Sequence, residues 1–198
     1  FTDYNDDYQS RGMWVNILTD GSYLKPERKG YNIPIDLSFA FHTDAGTTLT
    51  DSIIGTLAIY TRLSMDQDEY PYGVKRSIAR DYNDIVQTQI VDDIRAIFEP
   101  QWSRRGMWDK SYSESRSPEV PAMLLELLSH QNLADMRYGL DPAFRFVVSR
   151  AIYKGMLKYL SWLRGTPYIV QPLPVRAFSA EITESGRKYQ AQLKWEPR

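Results

Sequence analysis

Short apolar runs of strand character alternate in this chain with long segments of helical period, and that alternation constrains the fold more than any other feature. Ile33 to His42 puts Ile35, Leu37, Phe39 and Phe41 on one face and Ser38, Ala40 and His42 on the other, as an extended strand requires. Ile53 to Tyr60 and Pro121 to Leu128 are further apolar runs of strand length, suited to a sheet covered on both faces. Between them, Val74 to Phe98 carries Ile78, Tyr82, Ile85, Val86, Ile90, Ile94 and Ile97 on one stripe, polar only at Gln89. Pro100 stops that helix. Asp141 before Pro142 pairs an N-cap with a residue preset for the first turn, and Phe144, Val148, Ala151, Ile152 and Tyr159 continue an apolar face to about Leu163. The expected fold class is α/β, a mostly parallel twisted sheet flanked by helices.

The flanks are expected to be simpler. Asp7 to Leu18 has helical spacing behind Ser10 as a cap, and Thr19 to Gly30 is a loop rich in Gly, Pro and Lys. Arg104 to Pro118 is a polar, aromatic loop or short strand. After Arg164 the character changes. Residues 165–174 form a Pro-rich linker, and residues 175–198 a β-hairpin around Glu184-Ser185-Gly186-Arg187, without the domain that would cover it. The expected organisation is therefore an α/β domain over 1–164, a linker over 165–174 and a hairpin over 175–198. The chain begins at Phe1 with neither Met nor a signal-peptide pattern, and is expected to be an internal piece of something longer.

Composition excludes more than it selects. A net charge of −1 gives no electrostatic footprint for nucleic acid. No segment has the apolar length of a transmembrane helix. With no cysteine, disulfides, thiolate metal sites and a cysteine nucleophile are ruled out. No phosphate loop, dinucleotide fingerprint or Gly-x-Ser-x-Gly elbow occurs. The sequence sets no oligomeric state.

Two residues stand out chemically. His42, one of two histidines, sits at the carboxyl end of its strand, where open α/β sheets bind ligands, with Asp44 two residues on. Alone it is more often structural than metal-binding. Glu126 is an acid inside Met123-Leu124-Leu125-Glu126-Leu127-Leu128. Burying a carboxylate costs several kcal/mol unless it is paired or works at a site, so Glu126 is either salt-bridged to Arg105, Arg116 or Arg137 or catalytic. His130 reads as a surface or capping residue.

These segments resemble a known family. Asp36-Leu37-Ser38-Phe39-Ala40-Phe41-His42-Thr43-Asp44-Ala45 is similar to the strand that carries a zinc-binding His in the zinc-dependent N-acetylmuramoyl-L-alanine amidases. Pro121-Ala122-Met123-Leu124-Leu125-Glu126 resembles the family's later strand, whose Glu is catalytic. The Leu128-Ser129-His130-Gln131-Asn132 turn, the helix from Asp141, Arg104-Arg105-Gly106, Arg116 and the Ser10 to Asn16 segment follow in the family's order. The resemblance implies a peptidoglycan amidase with zinc at His42, Glu126 as the catalytic base, and Asp44, Arg105 and Arg116 near substrate. The family's other ligands, with its first strand and helix, would lie upstream of Phe1. His42-Thr43-Asp44 departs from the family's His-Ala-Asn. The terminal hairpin resembles the start of a fibronectin type III-like module. That arrangement is similar to exported Bacteroidetes proteins labelled xanthan lyases. A wall amidase would be exported, with peptidoglycan or another glycan as its partner. The alternatives are a polysaccharide lyase, a catalytically silent glycan-binding module, and another zinc hydrolase such as a peptidase.

Overall fold

In the computed structural model, which describes residues 2–22, 25–186 and 188–196, the elements follow in order. They are α1 (Asp3–Leu18), β1 (Gly21–Ser22), β2 (Lys25–Lys29), β3 (Ser38–Asp44), β4 (Leu57–Tyr60), α2 (Ile78–Ile97), β5 (Trp108–Asp109), α3 (Ser113–Arg116), β6 (Ala122–Ser129), α4 (Leu133–Gly139), α5 (Pro142–Arg164), β7 (Arg176–Ser185) and β8 (Lys188–Glu196). The chain divides after Tyr168 into two units.

The first unit is built on a four-stranded sheet in the order β3-β6-β4-β5. β3 and β6 are parallel, β4 runs antiparallel to β6, and β5 is parallel to β4. The sheet is therefore mixed, and the expectation of a mostly parallel one is corrected. An apolar run buried on both faces reads alike in either direction, so β4 gave no sign of its reversal.

One face of the sheet is covered by α2 and α5. Ala58, Met123, Leu125 and Leu127 meet Tyr82, Val86, Ile90, Ile94, Phe144, Val148 and Tyr159 in the main core. Burying each large apolar side chain contributes about 1.5–3 kcal/mol. The two helices approach closely at Gly155, where an added Cβ would lie 2.8 Å from the Val86 Cα. The stripe on α2 is shifted from expectation. Ile97 is exposed, Gln89 is only part-buried, and Asn83 and Gln87 are fully buried instead. These two amides pin the backbone beneath them. Asn83 donates to the Ala122 carbonyl at 3.0 Å, and Gln87 to the carbonyls of Thr56 and Arg105, each at 2.9 Å.

The opposite face holds a smaller cluster of Leu57, Ile59 and Leu124, with Ala40 against it. There the four-residue α3 lies over the strands, fixed by Ser115 to Thr61 at 2.7 Å. α1 docks on the segment after α3. Buried Asn16 donates to the Ser117 carbonyl at 2.9 Å and accepts from the Glu119 amide at 2.8 Å. Thr2, not Ser10, caps α1, and Ser10 lies inside the helix, bonded back to Asp7.

Two further boundaries move. β3 begins at Ser38, not Ile33, because Pro34 has no N–H to donate and pairing starts with the Ser38 amide on the Pro121 carbonyl. The expected loop over 19–30 contains the antiparallel β1–β2 pair. Its charged residues give no alternating apolar signal. The second unit, from Ile169, holds the antiparallel β7–β8 hairpin, the one pair of strands among its described residues. Arg187 of its expected turn lies outside the described residues. No helix among the described residues is long and apolar enough to cross a membrane.

Candidate functional site

Parallel pairing of β3 with β6 sets His42 directly beside Glu126, at the carboxyl ends of both strands. Strand alternation places both side chains on the face covered by α3. The register then slips between His42 and Asp44, and such an irregularity re-aims the side chain beyond it. Asp44 meets Arg105, with Oδ2 accepting from the guanidinium at 2.6 Å and Oδ1 from the Ala45 amide at 2.7 Å. Gln87 holds the Arg105 carbonyl from below, and the Arg105 guanidinium lies 5.6 Å from the centroid of the half-exposed Trp108 ring.

Electrostatics separates the two carboxyls. Burial pushes Glu126 above the ordinary glutamate range. His42 and Arg105 act against that shift, and the negative charges of Asp44 and Glu114 add to it. Its Oε2 is buried with no hydrogen-bond partner among the described residues. Burial also acts upward on Asp44, but the bonds from Arg105 and Ala45 outweigh it and hold that carboxyl below its usual value. A carboxyl kept basic beside one kept ionised is the arrangement by which a site separates proton transfer from charge stabilisation.

Glu114, which sequence reasoning missed, completes the cluster. Its Oε2 lies 2.8 Å from His42 Nε2, and its Oε1 accepts from Arg11 at 3.1 Å. Arg11 in turn reaches Asp7. A carboxylate only accepts, so an ionised Glu114 fixes the His42 proton on Nε2. We expect ring-nitrogen NMR to show that tautomer for His42, and a mixture of tautomers in Glu114→Ala, with His130 as internal reference. An unchanged His42 ring in that variant would remove Glu114 from the site.

The structure does not bring Arg116 into this cluster. Its guanidinium turns to the Ser111 carbonyl and hydroxyl, at 3.2 and 2.9 Å. Arg105 goes to Asp44, and among the described residues none of the three arginines weighed for Glu126, Arg105, Arg116 and Arg137, forms a salt bridge with it. His130 is exposed, and its ring meets the Thr43 hydroxyl at 3.0 Å.

Zinc is not accommodated by these residues alone. Among the described residues no group of three His, Asp or Glu side chains is placed to hold a metal. His42 Nε2 is already engaged by the Glu114 carboxyl at 2.8 Å, whereas a nitrogen that binds a metal must be bare. No chemical step is therefore routed through a metal.

No protein-family model and no curated protein matches the chain. Solved structures do. The N-acetylmuramoyl-L-alanine amidase from Clostridium difficile 630 superposes with a TM-score of 0.54 at 16% identity, over 78% of this chain and 65% of its own. The CwlD amidase from Clostridioides difficile, solved in complex with the GerS lipoprotein, gives 0.54 at 16%, over 80% and 64%. The chain spans just under two thirds of the length of either. At that identity the likeness is one of fold, and this chain has the mixed α/β fold, a central sheet flanked by helices, of these two amidases.

Proposed function

We propose that the chain belongs to a hydrolase that cleaves the amide joining the glycan to its peptide in peptidoglycan, with Glu126 as the proton carrier. The observation that carries this reading is the Glu126 carboxyl itself, kept basic by burial and with its Oε2 unpartnered among the described residues, beside His42 on the neighbouring strand. A carboxyl so tuned accepts a proton from water as the water attacks the amide carbonyl, and returns it to the departing amine. Arg105, oriented by Asp44, supplies positive charge beside the reacting carbonyl. Trp108 offers an aromatic wall for substrate.

The resemblance adds zinc to this reading. The donors it needs beyond His42 would come from outside the described residues. Its substrate would place the protein outside the cell. The experiment is release of free L-alanine amino groups from purified peptidoglycan. Release that depends on Glu126 supports the hydrolase. The engagement of His42 by Glu114 favours a second reading, a catalytically silent glycan-binding module, for which peptidoglycan would be retained and no amine released.

A further inference from the structure

At the opposite end of β3 from His42 lies a cavity of about 480 Å³ that the chemistry above does not use. The extended run from Ile35 to His42 separates the two by roughly 20 Å. Its lining joins Asp20, Asn32 and Glu119 to an apolar wall that includes Ile33 and Pro71, with Tyr72 at one side. Tyr72, Ile35 and Val120 also line a neighbouring cavity of about 270 Å³, so the Tyr72 ring stands between two adjoining spaces.

The ring is built in. Tyr72 stacks on the buried Tyr70 at 5.5 Å between centroids and 6° between planes, and the Arg76 guanidinium lies 4.5 Å from the centroid of Tyr70. Stacked on one side and 55% exposed, Tyr72 offers its other face to solvent.

The lining chemistry selects a ligand. The larger cavity has two carboxylates and neither Lys nor Arg, so it disfavours phosphates, nucleotides and acidic polymers. A purely apolar ligand would desolvate those carboxylates without replacing their hydrogen bonds, which costs several kcal/mol. A neutral sugar meets every term. Its C–H face lies on an aromatic ring, its hydroxyls donate to Asp20 and Glu119, and an acetamido group matches the Asn32 amide and the apolar wall.

We propose that this groove is a second binding site, for a neutral N-acetylated glycan chain, with Tyr72 as its platform. The choice of sugar rests on the peptidoglycan reading. The site would hold the polymer away from the reacting bond, and a second contact on one polymer raises the effective concentration at the first.

Titration calorimetry with the N-acetylglucosamine tetrasaccharide tests this, together with co-sedimentation on purified peptidoglycan. Tyr72→Ala and the exposed-site variant Asp20→Lys should each weaken binding at least tenfold. Tyr72→Phe should stay within about twofold of the parent. Tyr4→Ala, an exposed tyrosine elsewhere, should bind like the parent. No binding by the parent chain overturns the proposal. So does undiminished binding by Tyr72→Ala and Asp20→Lys with unchanged melting curves. If Glu126 proves dispensable for amine release, the hydrolase reading fails while the binding result stands. If amine release depends on Glu126 but Tyr72→Ala binds normally, this site alone fails.

Discussion

Glu126→Gln is expected to lower amine release from peptidoglycan by at least the ~10²-fold typical of a lost general base, while leaving the chain no less stable at neutral pH. The two halves of that result have one cause. Glu126 sits among apolar strand residues with a buried oxygen that finds no hydrogen-bond partner among the described residues, and burial is the largest influence raising its affinity for a proton. A carboxyl whose folded pKa lies above its unfolded value binds protons more tightly in the folded state. Stability is therefore present below the unfolded value and is lost as pH rises through the window up to the folded one. The amide has no such titration. The melting temperature of Glu126→Gln relative to the parent should accordingly rise as the pH climbs above the ordinary glutamate range, while its activity stays low throughout. Activity that survives the substitution removes Glu126 from the chemistry. A stability difference that falls with pH removes the burial argument.

The parts of this site that were legible in the sequence are those that strand periodicity dictates. His42 and Glu126 each interrupt or end an apolar run, and parallel pairing makes them neighbours. The second long helix was equally plain. Asp141 accepts from the Ala143 amide at 2.8 Å, and Gly165 closes α5 in the left-handed conformation at φ 61°. Glu114 was not legible. It lies on a helix of four residues within a polar segment, and its partners Arg11 and His42 are remote in sequence. No periodicity reports a contact between segments that far apart. Arg116 failed for the converse reason: its place in the sequence order said nothing of its direction, and Ser111 captures its guanidinium locally. Asn83 and Gln87 show the same limit within a well-read helix, since a buried amide that pins backbone looks like a surface residue until its carbonyl partners are known.

The largest stability effect is expected at Asp135, where alanine should cost roughly 3–5 kcal/mol because it orphans several buried backbone donors at once. The Asp135 side chain is fully buried and accepts from three backbone amides: Ser129 at 2.8 Å, Ile54 at 2.9 Å and Gly55 at 3.2 Å. It thereby ties the end of β6 to the loop that leads into β4. Asn132 caps α4 with its Oδ1 on the Asp135 amide at 2.9 Å, and its own amide reaches the Ser52 carbonyl at 3.1 Å. Gly55 has no freedom to compensate. It sits at φ 78°, and any Cβ there would lie 2.1 Å from the Ser103 carbonyl oxygen. Alanine at 135 leaves three amide donors without an acceptor, each costing about 1–3 kcal/mol where water cannot replace it. Asparagine keeps one acceptor oxygen but turns an NH2 toward a donor, so its loss should fall between the parent and alanine. Against a total stability of about 5–15 kcal/mol for a domain, the alanine variant approaches unfolding. Urea denaturation reads the cost. Hydrogen exchange separates its origin, because the amides of Ile54, Gly55 and Ser129 should lose protection before those of α2. A cost below about 1 kcal/mol, or uniform loss of protection, would mean that the β6 end is held by packing. Ser129 lies three residues beyond Glu126 on β6, so the bonds that hold this corner also hold the direction in which the Glu126 carboxyl points.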